Sequence, residues 1–325
     1  MFIFAEFDIQ FHLPAPAAVV ALLHLHPTLE PLLRSGNELR VEHLANLASS
    51  GAESRLRVPS TDYLDSFGNR CARFVAPAGH LRLSSSSLVD VGGNQDKICP
   101  NAHQAPIEEL PSEVLQFLLP SRYCEVDRFG AIAHDLFGSL PSGWARATAI
   151  RDWVHEKVSF NYNAARPTKT AMDVFVERVG VCRDFQHLAI TLSRCQNIPA
   201  RYVAGYIGDI RMPYSGPGDF SAWYQVFLDG QWIDLDARHN YPRLGRILMA
   251  TGRDAADVAI TTTFGANNLT YFYVDSWEVD SAGNRISLAG DRQLPSPTAN
   301  LSQAATPTQT NASETSPIQT QTATT

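Results

Sequence analysis

The chain has few cysteines, no excess of basic residues and no long apolar run. The five cysteines are Cys71, Cys99, Cys124, Cys182 and Cys195, and they show neither paired nor CxxC spacing. A disulfide framework and a zinc site are therefore not expected, and all five are predicted to be free thiols. The net charge of −7 without a basic cluster argues against nucleic acid or an anionic membrane surface as the main partner.

The richest apolar stretch, residues 15–25, is interrupted by Pro16 and His24 and is far shorter than the ~20 residues of a membrane span. The first residues lack the basic region and cleavage site of a signal peptide, so a cytoplasmic protein is expected. With 44% hydrophobic residues over 325 positions, the chain can form a full core and roughly two domains. The expected ligand is a small molecule or a protein.

Hydrophobic periodicity divides the chain into three parts. Residues 1–107 contain short stretches of period two, beginning with the alternation from Ile3 to Leu13, and are predicted to form an antiparallel β-domain. Residues 108–292 carry helix-spaced apolar residues followed by further strands, and Ser142 is the expected N-cap of one helix. The predicted fold class is α+β. Residues 293–325 lack large apolar side chains and are predicted to be disordered.

Cys182 is the candidate nucleophile because of its position. Phe185, Leu188 and Leu192 follow it at helix spacing, which places the cysteine in the first turn of a buried helix. Unpaired N–H groups and the macrodipole at a helix start favour a thiolate, and these N–H groups can also stabilise an oxyanion. Alternatively, Cys182 is a small buried hydrophobic residue, as most free cysteines are.

A predicted hairpin places an acidic residue near the same point. If Asp229-Gly230 is a two-residue turn, Trp223 lies opposite Asp236, and Ser221 is diagonal to Asp236 on the same face. A histidine at 221 could form a hydrogen bond with Asp236 and reach Cys182, but the residue is serine. Ser221 cannot act as a base near neutral pH, although it can hydrogen-bond the thiol or hold a water.

His239 is the candidate substitute base. It lies three residues after Asp236, so in a continuing strand it would point to the opposite face, and only a bulge or the end of the strand could turn it inward. Trp223 and Tyr162 are candidate substrate-binding residues, with core packing as the alternative for each.

The segments GVCRDFQHLAITLSRCQNIPARYVAGYI and SAWYQVFLDGQWIDLDARHN resemble the transglutaminase-like superfamily, in particular bacterial members with a β-rich N-terminal region. In this resemblance Cys182 matches the catalytic cysteine, Asp236 matches the catalytic aspartate, and Ser221 stands at the position of the catalytic histidine. AIRDWVHEKVSFNY is similar to the helix before the family core.

The resemblance implies a papain-like core in which the cysteine attacks an amide or another acyl carbonyl, and members are often described as candidate cysteine proteases. Water as acceptor gives a peptidase or amidase, and an amine gives a transglutaminase. The implied partner is a protein or peptide amide, or a small acyl or amine substrate, and no cofactor or metal is expected. A pseudoenzyme that binds an acyl or peptide ligand without turnover is the alternative, because a missing general base costs about 10²–10⁴-fold in rate.

Overall fold

The computed structural model describes residues 1–46, 53–212, 218–286 and 322–324. The α+β fold class predicted from the sequence is confirmed. Within these ranges, no helix is both long enough and apolar enough to cross a membrane.

The N-terminal part is built from strands. They are β1 (Phe2–Leu13), β2 (Ala17–Ala21), β3 (Leu33–Gly36), β4 (Arg40–Asn46), β5 (Glu53–Arg57), β6 (Thr61–Leu64), β7 (Arg70–Ala76) and β8 (Gly79–Asp90). The odd-numbered residues of β1 from Ile3 to Leu13 are buried, as the period-two pattern predicts, because successive side chains of a strand point to opposite faces.

The middle part contains the helices. They are α1 (Ser112–Leu115), α2 (Val126–Phe137), α3 (Trp144–Lys157), α4 (Ala171–Glu177) and α5 (Cys182–Cys195), with the two-residue strands β9 (Ser159–Phe160) and β10 (Val179–Gly180) between them. Helix α3 begins one residue later than predicted. Its N-cap is Gly143, at φ 80°, and not Ser142. Position 143 requires glycine, because a side chain there would collide with the carbonyl oxygen of Ala102.

Strands return after α5. They are β11 (Ala200–Tyr206), β12 (Ser221–Leu228), β13 (Gln231–Leu235), β14 (Ile247–Gly252), β15 (Thr261–Phe264), β16 (Asn268–Val279) and β17 (Thr322–Thr324). Strands β13-β12-β11-β14 form one sheet, in that order. Asp229 and Gly230 both have positive φ, and Leu228 pairs with Gln231, so the predicted two-residue hairpin turn and its register are confirmed.

The last strands belong to the β-domain. Strand β16 pairs antiparallel with β1, and β15 pairs with β2, so both ends of the chain build the two larger sheets. Their orders are β16-β1-β8-β4-β5, with β3 on β8, and β17-β15-β2-β7-β6. This differs from the predicted division, which assigned the strand at 269–279 to the core at 108–292. The pairing of distant strands is a property of topology that local periodicity does not encode.

Of the predicted disordered tail, residues 293–325, only Thr322–Thr324 lie within the described residues. They form β17, which pairs with Thr261–Thr263 of β15. The rest of that prediction falls outside the described ranges.

Helix α5 is the centre of the second core. Every residue from Arg183 to Arg194 is buried, and the helix packs against α2, α3 and α4 on one side and β11 and β12 on the other. The face of the hairpin toward α5 is apolar, with Ala222, Tyr224 and Val226 in the same core cluster as Leu188 and Leu192. This packing fixes the start of α5, and with it Cys182, beside the ends of β12 and β13.

Candidate active site

Cys182 is the first residue of α5 and is half-buried, as its spacing predicts. The helix start is closed by Asp184, whose Oδ2 accepts a hydrogen bond from the Val181 N–H at 3.0 Å. A carboxylate three residues into a helix that binds back to the N-cap amide is a typical helix-start device. Cys182 is therefore held on a well-defined helix terminus.

The expectation of a lowered thiol pKa is wrong. Burial raises the pKa of Cys182 to about 11, and neither the Arg238 charge nor the Arg183 N–H overcomes this effect. The charges of the Asp219 and Asp184 carboxylates add to the rise. Because a thiolate loses its hydration on burial, the neutral thiol is the resting form near neutral pH.

Asp236 follows β13 directly and is 3% exposed. The hairpin ladder ends at the pair Tyr224 and Leu235, so Asp236 is not a ladder partner of Trp223 as predicted. Instead it opens a turn in which its Oδ1 accepts from the N–H groups of Arg238 at 2.9 Å and His239 at 3.1 Å. Aspartate commonly bonds to amides two residues ahead, and here this ends the strand.

The turn brings His239 to Asp236. The His239 Nδ1 donates to Asp236 Oδ2 at 2.9 Å, and the Asn240 N–H closes the turn on the Asp236 carbonyl oxygen. Of the two ways to turn His239 inward, a bulge or the end of the strand, the structure has the second. Burial opposes ionisation of Asp236, but the His239 hydrogen bond and the Arg246 charge hold the pKa of this carboxyl well below its usual range.

Gln186 links this pair to the nucleophile helix. It lies one turn after Cys182, and its Nε2 donates to Asp236 Oδ1 and to the Ala222 carbonyl, both at 3.2 Å. Its Oε1 accepts from the Ala237 N–H at 3.2 Å. Sequence reasoning missed this residue, although its spacing of four from Cys182, on the same face of the helix, was available as a signal.

Arg246 supports Asp236 from the other side. Its Nε donates to both carboxylate oxygens of Asp96 at 2.8 Å, and its Nη2 donates to Asp236 Oδ2 at 3.4 Å. The guanidinium also lies over the Trp223 ring at 5.0 Å. Asp96 comes from the segment between β8 and α1, which the sequence did not connect with the site.

Ser221 is half-buried at the first position of β12 and pairs across the sheet with Gly205. Within the described ranges, its side chain has no hydrogen bond to Asp236 or to Cys182. The two Asp236 oxygens are occupied by Gln186, Arg246, His239 and backbone amides. The predicted association of Ser221 with Asp236 is therefore not formed by a direct hydrogen bond.

The two candidate substrate-binding aromatics differ in exposure. Trp223 is 1% exposed, and its Nε1 donates to Asp234 Oδ1 at 2.7 Å, so it packs behind the site and does not present a surface to substrate. Tyr162 is 44% exposed and packs edge to face on Phe160 at 4.9 Å. Arg238, which the sequence analysis did not consider, lies over the Phe160 ring at 3.9 Å.

Three further features of the site concern His187, the state of the cysteines and possible metal ligands. His187 is fully buried, stacks on Tyr123 at 4.9 Å and accepts the Ala255 N–H at Nε2. The five cysteines are free thiols. Among the described residues, no three His, Cys, Asp or Glu side chains converge in a group that could hold a metal ion.

A comparison with protein families matches residues 131–237 to the transglutaminase-like superfamily core. This segment is similar to that core domain. The match spans most of α2 through Asp236 and Ala237, so it includes Cys182, Gln186 and Ser221 and ends two residues before His239.

Similar proteins extend this likeness beyond the core domain. An uncharacterized protein of Mycobacterium leprae is 27% identical over 249 residues, which cover 70% of this chain and 86% of that protein. A structure from Cytophaga hutchinsonii, named as a candidate cysteine protease, is 26% identical with a TM-score of 0.72 and covers 90% of this chain and 95% of that one. The fold of the β-domain and the transglutaminase-like core together is therefore shared with a solved structure.

Proposed function

We propose that this protein is a thiol acyl-transfer enzyme of the cysteine peptidase or transglutaminase type. Cys182 is the nucleophile, His239 is the base in place of a histidine at 221, and Asp236 orients the imidazole. The observation that carries this assignment is the 2.9 Å hydrogen bond from His239 Nδ1 to Asp236 Oδ2. A carboxylate bound to one ring nitrogen leaves the other for proton transfer, as in a catalytic triad.

The raised pKa of Cys182 strengthens the need for a base. A thiol with a pKa of about 11 is almost entirely protonated near neutral pH, so attack has to be coupled to removal of its proton. In the proposed reaction the Sγ–C bond forms while the thiol proton passes to His239 Nε2. The C–N bond then breaks as His239 returns the proton to the leaving amine. Water or another amine next attacks the thioester carbonyl, the Sγ–C bond breaks, and the proton of the acceptor passes through His239 to restore the Cys182 thiol.

The N–H groups at the start of α5 are proposed to stabilise the oxyanion that forms in the first step. The Arg183 N–H lowers the pKa of Cys182 against the larger effect of burial, which supports a donor near the sulfur at this helix start. The proposed substrate is a protein or peptide amide, or a small acyl donor with an amine acceptor.

The direct test is detection of an acyl-enzyme. A small glutamine peptide such as benzyloxycarbonyl-glutaminyl-glycine is incubated with the protein, with and without hydroxylamine, and intact mass and hydroxamate are measured. We expect an adduct on Cys182 and turnover, both of which are absent in Cys182→Ala and strongly reduced in His239→Gln. Adduct formation that is unchanged in His239→Gln would contradict the assignment of the base.

A second candidate function is favoured by the same raised pKa. A protonated, half-buried thiol also suits a protein that keeps the cleft and binds an acyl or peptide ligand without turnover. This alternative predicts peptide binding that is equal in the wild type and Cys182→Ala, with no acyl-enzyme in either. Binding measured together with the mass assay separates the two functions.

A further inference from the structure

Arg238 is a cation without an ion-pair partner. It stands between Asp236 and His239, it is half-buried, and its guanidinium carbon lies 3.9 Å from the centre of the Phe160 ring. Within the described part of the chain, no carboxylate lies within 4.0 Å of this guanidinium, whereas the nearby Arg246 is bound by two carboxylates. A guanidinium stacked on an aromatic ring keeps its N–H groups available at its edge.

The backbone of Arg238 is fixed on both sides. Its N–H donates to Asp236 Oδ1 at 2.9 Å, and its carbonyl oxygen accepts from His155 Nδ1 at 2.9 Å. The neighbouring Ala237 N–H donates to Gln186 Oε1 at 3.2 Å, one turn along α5 from Cys182. Arg238 is therefore preorganised, so binding a ligand costs little ordering of the main chain.

Phe160 places this cation beside the nucleophile. In the parallel pair of β9 and β10, Phe160 is the partner of Gly180, two residues before Cys182. The Asn161 N–H donates to the Gly180 carbonyl at 3.0 Å and secures the pairing. Consistent with this geometry, the Arg238 charge lowers the pKa of Cys182, against the larger effect of burial.

The aromatic rings next to Arg238 are open to solvent. Phe160 is 36% exposed, Tyr162 is 44% exposed, and their rings meet edge to face at 4.9 Å. Exposed aromatic rings next to an arginine that forms no ion pair with the described residues provide apolar contact and bidentate hydrogen bonding in one place. Carboxylate is the common protein-derived group that matches this arrangement.

We propose that Arg238, with Phe160 and Tyr162, forms a subsite for a carboxylate of the acyl donor. The substrate class is then an amide that carries a carboxylate close to the carbonyl that Cys182 attacks. This inference rests on the proposed function, because that function places the reacting carbonyl at Cys182. The carboxylate comes either from an acidic side chain or from a free C-terminus.

Asp219 provides an internal control for this subsite. It is an exposed residue, and its charge acts on both Cys182 and Arg238 without forming an ion pair with Arg238. A substrate carboxylate at Arg238 would be repelled by Asp219. Removing the Asp219 charge should therefore strengthen binding of an acidic ligand, whereas removing the Arg238 charge should weaken it.

Binding is tested in the Cys182→Ala protein, so that chemistry does not contribute. Calorimetric titrations compare N-acetylglutamine, which has a free α-carboxylate, N-acetylglutamate α-amide, which has a side-chain carboxylate, and the neutral N-acetylglutamine amide. We expect one of the two acids to bind about tenfold tighter than the neutral ligand, because a charge-assisted pair is lost in the latter. Which acid binds tighter identifies the source of the carboxylate.

The variants decide the assignment. Arg238→Gln should remove the preference for the acid, Arg238→Lys should keep part of it, and Asp219→Asn should increase it. Equal binding of acidic and neutral ligands, or a preference that survives in Arg238→Gln, would overturn the proposal. If Arg238→Gln does not fold, the opposite effects expected of Arg238→Lys and Asp219→Asn still test it.

Alkylation of the wild type separates this inference from the proposed function. Iodoacetate and iodoacetamide carry the same leaving group, and only the first has a carboxylate, so their rate ratio at Cys182 reports the subsite. A preference for an acid that depends on Arg238, in a protein without acyl-enzyme formation, supports the subsite and contradicts the proposed function. Acyl-enzyme formation without such a preference contradicts the subsite alone.

Discussion

Cys182 and Cys195 are the two ends of one helix, and burial raises the pKa of both thiols to about 11. Their surroundings differ. Cys195 donates to the Val126 carbonyl at 3.4 Å and lies in a groove lined by residues such as Leu118 and Leu119. Cys182 lies beside the turn that carries Asp236 and His239. The pKa of the thiol therefore does not distinguish the two cysteines, and the difference in proposed reactivity has to come from the base.

The largest expected effect is the difference in kcat between the Cys182→Ala and Cys195→Ala variants. Cys182→Ala should abolish acyl transfer, since loss of a nucleophile in a catalytic triad can cost about 10⁶-fold in kcat. Cys195→Ala should leave kcat unchanged within about twofold, because its thiol lies at the opposite end of α5 from Cys182. Hydroxamate formation measures both variants. Equal losses of kcat in the two variants would contradict the different roles assigned to Cys182 and Cys195.

His239→Ala should reduce kcat by about 10²–10⁴-fold, the usual contribution of a positioned general base. The thiol of Cys182 is protonated near neutral pH, so the loss should shrink as the pH approaches the thiol pKa of about 11. Initial rates measured from about pH 7 to 10 test this convergence. His134→Ala, which removes an exposed histidine of α2, is the matched control.

Acid should weaken the folded state through Asp236. Folding lowers the pKa of this carboxyl, so its stabilising effect is complete above the unfolded value of about 3.9 and is lost as pH falls towards the folded pKa. We expect about 1–3 kcal/mol of unfolding free energy to be lost from this group below about pH 4. Urea titrations should show a shallower acid dependence in Asp236→Asn and an unchanged one in the exposed variant Asp152→Asn.

The smallest effects are expected at Ser221. Its side chain makes no hydrogen bond within the described residues, so Ser221→Ala should change kcat by less than about threefold. Ser221→His should gain little, because the oxygen atoms of Asp236 are already bound by His239, Gln186 and Arg246. A large rise in turnover of Ser221→His would show that position 221, and not 239, is the natural place for the base.

Local patterns predicted much of the fold. The two-residue turn at Asp229-Gly230, the pairing of Leu228 with Gln231 and the position of Cys182 in the first turn of a helix agree with the structure, because alternation and helix spacing are local signals. The pairing of β16 with β1 could not be read in this way, since residues more than 250 positions apart share no local pattern.

The candidate site was predictable only in part. Cys182 and Asp236 could be placed from helix spacing and hairpin register, but the ladder was extended one residue too far, and this hid the turn that brings His239 inward. The raised pKa of Cys182 could not be anticipated from its helix terminus, because desolvation depends on the packing around it. Arg246 and Asp96 meet through a contact between distant segments.

The central claim is that His239, held by Asp236, activates a protonated Cys182. The most direct measurement is the rate of iodoacetamide alkylation at Cys182 and Cys195, resolved by peptide mapping, at about pH 7 in the wild type and in His239→Ala. The account predicts that Cys182 reacts at least about tenfold faster than Cys195 in the wild type, and that His239→Ala removes most of this difference. Equal rates in the wild type, or a fast Cys182 that is indifferent to His239→Ala, would contradict it.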